Sequence, residues 1–303
     1  MHYENLILKF SNAILKATWK VAFRPEYAPH TLRRNFEWVS GISSQALLKK
    51  YPHAQFIESR INGVRTECIQ TTESPQKTIL YLHGGGYIMG SIHAYRRNML
   101  RIAYRCQARV MIPEYRLAPE YPFPAALEDA KQVYSELSGR YDPGQIVFMG
   151  DSAGGGLVLA VLMALRDEGK KLPAGALCAS PWTDLLGTGA SMETNAGKDV
   201  CLSKHHLKKW APYYPGSKDP KLPYISPVNG DFRALPPLMI LVGDQEMLLD
   251  DSVRVAKKAA ESGVRVTLRI EPGMQHVWFL SLPWLRQSKE AMNHIAQFVQ
   301  NIS

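Results

Sequence analysis

From about residue 60 onward, short apolar runs recur with helical patterns between them: Thr66 to Gln70, Thr78 to Leu82, Val110 to Ile112, Ile146 to Met149, Ala176 to Ala179, Met239 to Val242 and Val266 to Ile270. Short apolar runs of this length are what strands look like in a sheet whose faces are covered. Alternating them with helices predicts an α/β fold built on a mostly parallel central sheet covered by helices.

Two stretches depart from this rhythm. Residues 1–52 read as amphipathic helices, with Leu6, Phe10, Ile14, Ala17 and Val21 at helical spacing. Between Thr183 and Pro237 the chain carries Pro212, Pro215, Pro220, Pro223, Pro227, Pro236 and Pro237, too many for a central strand. The expected organisation is therefore a set of N-terminal cap helices at 1–52 and a main α/β domain at 53–303 with a cap insertion at about 183–222. Both additions are expected over the carboxyl ends of the strands, where ligands bind in open α/β sheets.

Composition removes several classes. With 46% hydrophobic and 21% charged residues the chain can bury a core and is not disordered. The formal charge of +9 comes from lysines and arginines scattered along the chain. Without a concentrated basic tract this reads as a solvated surface, and nucleic acid is not expected as a partner. Cys68, Cys106, Cys178 and Cys201 are far apart with no C-x-x-C pair, which signals neither zinc nor a disulfide framework and points to a reducing, cytoplasmic compartment. No segment has the length of a membrane span, and Lys9, Lys16 and Lys20 interrupt any signal-peptide core.

The sharpest chemical signal is Gly150-Asp151-Ser152-Ala153-Gly154, a G-x-S-x-G directly after an apolar run and opening a helical one. That context suits a strained strand-to-helix turn that lifts a serine hydroxyl clear of the backbone, beside a helix N-terminus that favours negative charge. Upstream, His83-Gly84-Gly85-Gly86 follows another run; residues without side chains let N–H groups point unobstructed at a developing oxyanion. Phosphate-binding readings fail, since Met89 stands where a dinucleotide fingerprint wants Gly or Ala and no P-loop occurs. H-E-x-x-H is absent, and adjacent His205 and His206 diverge on a helix, so no metal site is expected.

A serine nucleophile needs a base. His276 stands on a loop after the last run, where chain order Ser, acid, His puts it. His83 and His294 read as structural. For the acid, Asp244, Glu246, Asp250 and Asp251 all follow Met239 to Val242, and the pattern alone leaves them in competition.

HGGG at 83–86, the stretch from Pro113 to Ala126 with Tyr-Arg-Leu-Ala-Pro-Glu at 115–120, GDSAGG at 150–155 and the late His276 together resemble the bacterial hormone-sensitive-lipase family of esterases, in its GDSAG branch, from about residue 60 to the end. The resemblance implies an α/β-hydrolase fold with a helical cap, a small-molecule ester substrate of short-to-medium acyl length and no cofactor; lactones, aryl esters and short acylglycerols are all admissible. The family's acid motif, G-x-x-D-P-L-x-D, falls on Gly243 to Asp250 and so implies Glu246 as the acid, with Glu in place of Asp and Met247 in place of Pro, and Asp244 as the alternative. It implies Gly85, Gly86 and Ala153 as the oxyanion-hole N–H groups, and structural roles for Glu114 and Asp129. Phe36, Trp38, Trp210, Tyr213 and Tyr214 could line a substrate pocket or simply hold the cap to the core. A homodimer is left open. The rival classes are a ligand-binding protein on the same fold, an amidase, and a protein whose basic N-terminal helix lies on a membrane surface instead of packing on its own chain.

Overall fold

The computed structural model describes residues 2–302, with side chains from Leu6 to Ile302. Three helices come first, α1 (His2–Ala22), α2 (Pro29–Ser40) and α3 (Ser44–Lys50). Eight strands follow, β1 (Gln55–Ile61), β2 (Val64–Gln70), β3 (Thr78–Leu82), β4 (Arg109–Pro113), β5 (Ile146–Asp151), β6 (Gly175–Ala179), β7 (Leu238–Gly243) and β8 (Val266–Glu271). The helices among and after them are α4 (Ile92–Cys106), α5 (Ala125–Arg140), α6 (Ala153–Asp167), α7 (Ser191–Thr194), α8 (Lys204–Trp210), α9 (Leu249–Glu261), α10 (Trp278–Ser281) and α11 (Arg286–Asn301).

The strands form one sheet in the order β1-β2-β4-β3-β5-β6-β7-β8. It is parallel from β4 through β8, with β1 and β2 added antiparallel at one edge. Every residue of β3, β5, β6 and β7 is buried, which requires helices on both faces. The seven strands expected from apolar runs are all present. The eighth, β1, escapes that pattern because it is an edge strand whose residues are mostly exposed and polar.

Register explains why the site lies where it does. Leu82 pairs with Gly150, Asp151 with Ala179, Ala179 with Leu241, and Gly243 with Glu271. The loops that follow β3, β5, β6, β7 and β8 therefore leave the sheet side by side at its carboxyl end. The chain also runs from β3 outward to β4 and then back across to β5, so this is the topological switch point where α/β sheets open a crevice. Between Ala179 and Leu238 only α7, α8 and two short 3-10 turns form, as the prolines require.

Candidate active site

Ser152 occupies the turn between β5 and α6 with φ 53° and ψ −124°, a conformation that non-glycine residues adopt at a cost of order 1–3 kcal/mol. Its surroundings over-determine it: its N–H donates to Ala179 O at 2.8 Å and its carbonyl accepts from Trp182 at 2.9 Å and Gly156 at 3.2 Å. The turn is possible only because Gly154 has no side chain, since a Cβ there would stand 2.0 Å from Leu82 O. Helix α6 behind it is buried continuously from Ala153 to Leu165 and fixes the elbow to the core.

The Gly84–Gly86 loop faces the elbow from β3. Gly85 has φ +117°, and a Cβ on it would meet Met89 O at 2.2 Å, so glycine is required. The N–H groups of Gly85, Gly86 and Ala153 have no acceptor among the described residues, leaving three donors at the head of the crevice. Asp151 anchors the loop. One carboxylate oxygen accepts from Gly84 N–H at 3.0 Å and Tyr81 OH at 2.8 Å, the other from Tyr95 OH at 2.8 Å. Burial pushes this carboxyl up, against the pull of the two hydroxyls and the amide. His83 is buried, donates through Nδ1 to Gly84 O at 2.8 Å and stacks on Tyr115. Burial lowers its pKa to about 4, so it is a neutral prop beneath the loop.

His276, buried at the end of the loop after β8, donates from Nδ1 to Glu246 Oε2 at 2.8 Å. That bond assigns the Nδ1–H tautomer and leaves Nε2 as the acceptor. Burial pushes the imidazole pKa down, but the Glu246 hydrogen bond and charge, with Asp199 and Asp151 behind, outweigh it and hold it above the ordinary histidine value. The other three carboxylates are engaged elsewhere. Asp244 accepts from Gly273 N–H at 2.7 Å, Asp250 from Ser191 N–H at 2.9 Å, and Asp251 from Thr183 and Asp184 N–H at 2.6 and 2.8 Å. Geometry thus brings Glu246, and not Asp244, to His276.

Ser152, His276, Gly85 and Gly86 share one cavity of about 290 Å³. Its walls are largely apolar and come from α1, α2, α8 and the segment around α10. Of the five aromatics considered from sequence, Phe36 and Trp210 line it. Trp38 and Tyr213 are exposed, and Tyr214 is buried in a stack on Tyr87 with ring centroids 3.6 Å apart. His205 and His206 tie α8 to the N-terminal helices through Glu26 and Phe23 O.

The family model described as alpha/beta hydrolase fold matches residues 79–280. A solved esterase from the bacterial hormone-sensitive lipase family superposes with a TM-score of 0.88 at 37% identity, covering 97% of both chains. The chain belongs to the bacterial hormone-sensitive lipase family. Among solved structures, EstE5, soaked with p-nitrophenyl butyrate, gives a TM-score of 0.88 at 38% identity over 96% of this chain and 97% of that one. In sequence, this family member is 40% identical over 235 residues to an acetyl-hydrolase of Streptomyces hygroscopicus, covering 77% of this chain and 79% of that one. It is also 32% identical over 295 residues to an esterase of Acinetobacter venetianus, covering 97% and 96%.

Several site residues of this lipase-family chain were not singled out from sequence. Ser180 donates to Glu246 Oε1 at 2.7 Å and accepts from Val277 N–H at 3.2 Å, bridging the loops that carry Glu246 and His276. Asn195 donates to the carbonyls of Asp244 and Glu246 at 3.0 and 2.9 Å. Asp199 accepts from Met247, Cys201 and Leu202 N–H, and Gln275 accepts from Val200 N–H at 2.9 Å. The segment from 195 to 202 therefore clamps both loops from above. The one signal available was a set of polar residues within a proline-rich, otherwise unpatterned stretch. Glu114 and Asp129 pair with Arg65 and Arg116 away from the cavity. No helix among the described residues is long and apolar enough to cross a membrane.

Proposed function

We propose that this protein hydrolyses carboxylic esters of short-to-medium acyl length through an acyl-enzyme on Ser152. The observation that carries the reading is His276, fixed by buried Glu246 at 2.8 Å, in the same cavity as a serine at a strained elbow. Ser152 Oγ attacks the ester carbonyl as His276 Nε2 takes its proton, and Glu246 stabilises the imidazolium. The oxyanion is received by the N–H groups of Gly85, Gly86 and Ala153. His276 then returns the proton to the leaving alkoxide as the C–O bond breaks. Water, deprotonated by the same imidazole, attacks the acyl carbon and releases acid and serine.

In this reading α1–α3 and residues 183–222 form the cap, and Phe36 and Trp210 contribute to the substrate walls. Every proposed group comes from one chain, so the mechanism holds for a monomer or a homodimer. A reducing, cytoplasmic setting is part of the proposal, because all four cysteines are free and buried and need no oxidising compartment.

The test is hydrolysis of p-nitrophenyl esters from acetate to palmitate by the wild type beside Ser152→Ala. A serine-dependent rate peaking at short or medium chains supports the reading. Turnover undiminished in Ser152→Ala, or a maximum at palmitate, overturns its mechanism or its substrate range respectively.

A further inference from the structure

Helix α1 uses only part of its circumference to pack on the protein. Ser11, Leu15 and Ala22 are buried on one side. At 3.6 residues per turn, Leu6, Phe10, Ile14 and Val21 fall in a separate stripe about 80° wide. These side chains are 63%, 68%, 46% and 62% exposed, so an apolar face is left in water after the helix has docked. Lys9, Lys16 and Lys20 border that stripe along its outer edge; all three are exposed, and none has an acidic partner among the described residues. No Asp or Glu occurs between Leu6 and Ala22.

The stripe runs into the mouth of the cavity. Ile14 is both part of the stripe and part of the cavity lining. Two more exposed apolar residues, Val39 and Trp284, also line the cavity at its rim. The Trp284 indole N–H donates to Ser11 Oγ at 3.0 Å, which holds its ring against α1. Arg97, exposed and without an acidic partner among the described residues, adds a cation to the rim.

We propose that α1 and this rim form a docking surface for an anionic lipid bilayer, seating the cavity mouth against the membrane. The charges select the occupant. Lysines flanking an exposed apolar stripe match a layer of anionic headgroups above acyl chains, and a rim tryptophan suits the boundary between them. A second copy packed stripe to stripe would bring the two sets of lysines together with no acid to meet them. Docking does not depend on the esterase reading. What rests on that reading is the consequence, that ester substrates bearing acyl chains pass from the lipid into the cavity without crossing water.

The experiment is co-sedimentation of the full chain with vesicles of phosphatidylcholine alone and with about one-third phosphatidylglycerol. It compares the wild type, Ser152→Ala, a Lys9→Glu/Lys16→Glu/Lys20→Glu triple variant and a Phe10→Ser/Val21→Ser double variant. None of the five helix positions lines the cavity, so hydrolysis of soluble p-nitrophenyl butyrate reports correct folding. The expected result is salt-sensitive binding of wild type and Ser152→Ala to the anionic vesicles. The triple variant should lose on the order of 100-fold in partitioning, and the double variant should lose at least about tenfold. Absence of binding to anionic vesicles overturns the proposal, as does binding that neither variant weakens. Self-association of the wild type that Phe10→Ser/Val21→Ser abolishes, without vesicle binding, overturns it in favour of a second copy. Failure of the esterase reading shows separately, as binding without serine-dependent hydrolysis.

Discussion

The Ser180 hydroxyl donates to Glu246 Oε1 at 2.7 Å, while the other oxygen of that carboxylate accepts from His276. Ser180, together with the Gly243 N–H on the same oxygen at 2.5 Å, fixes which oxygen Glu246 presents to the imidazole, and through Val277 N–H it also holds the loop that carries His276. Ser180→Ala is expected to lower kcat on the order of tenfold with KM within about twofold, because it loosens orientation and leaves the substrate walls intact. Steady-state kinetics on a soluble ester check this split.

The two carboxylates that compete in the sequence separate in the structure. Glu246 reaches His276, and Asp244 turns to the Gly273 amide. Glu246→Gln should reduce kcat by about 10⁴-fold, through loss of the tautomer and of the compensating charge. Asp244→Asn should stay within about tenfold, because its oxygen bonds a backbone N–H that an amide oxygen can still accept. Comparing kcat of the two variants assigns the acid.

A pH profile follows from the raised pKa of His276. In the proposed mechanism His276 works as a base when neutral, so activity is present above that pKa and is lost as pH falls through it. The acid limb of kcat/KM is expected above the ordinary histidine value of about 6.5. In Glu246→Gln the residual activity should show this limb displaced to lower pH, since burial then acts with less opposition. An acid limb below the ordinary value in the wild type would contradict the arrangement.

Tyr95 links the Gly84–Gly86 loop to the core by donating to Asp151 and accepting from Gly84 N–H at 3.0 Å. Tyr95→Phe removes one donor from a buried carboxylate, and thermal or denaturant unfolding should show a loss of about 1–3 kcal/mol. Tyr81 and Gly84 still hold Asp151, so the variant should fold. Its kcat is expected to fall more than its KM rises, because in the proposed mechanism the loop donors serve an oxyanion absent from the ground state.

How much of this was legible beforehand depended on whether a residue's role left a periodic or compositional trace. The inner parallel strands did, since burial on both faces makes their sequences largely apolar, and β8 at one edge shows as an alternating run, whereas β1 at the other edge, mostly exposed and polar, did not. Ser152 and the Gly84–Gly86 loop were legible because their backbone conformations demand glycines at fixed offsets. His276 was legible from its place after the last strand. The acid was ambiguous by pattern, since one turn carries four carboxylates and only the direction of each side chain distinguishes them. Ser180, Asn195, Asp199 and Gln275 left little trace, because the bonds that tie them to the Glu246 and His276 loops run from side chains across long sequence separations. The aromatics were half legible. Trp210 and Phe36 reach the cavity, but nothing in spacing alone sends Tyr214 into the core or Trp38 into water. By sequence the N-terminal helix admits two readings, packed on its own chain or facing a membrane. In the structure it has a buried face and a separate exposed apolar face, so packing does not exhaust it.

The most direct test of the central claim is labelling with an alkyl fluorophosphonate, which phosphonylates an activated serine with loss of fluoride, followed by intact mass and peptide mapping. The account predicts one adduct, on Ser152, forming in step with loss of esterase activity, absent in Ser152→Ala and formed far more slowly in Glu246→Gln. An adduct on another residue, or full esterase activity retained after Ser152 is modified, would contradict it.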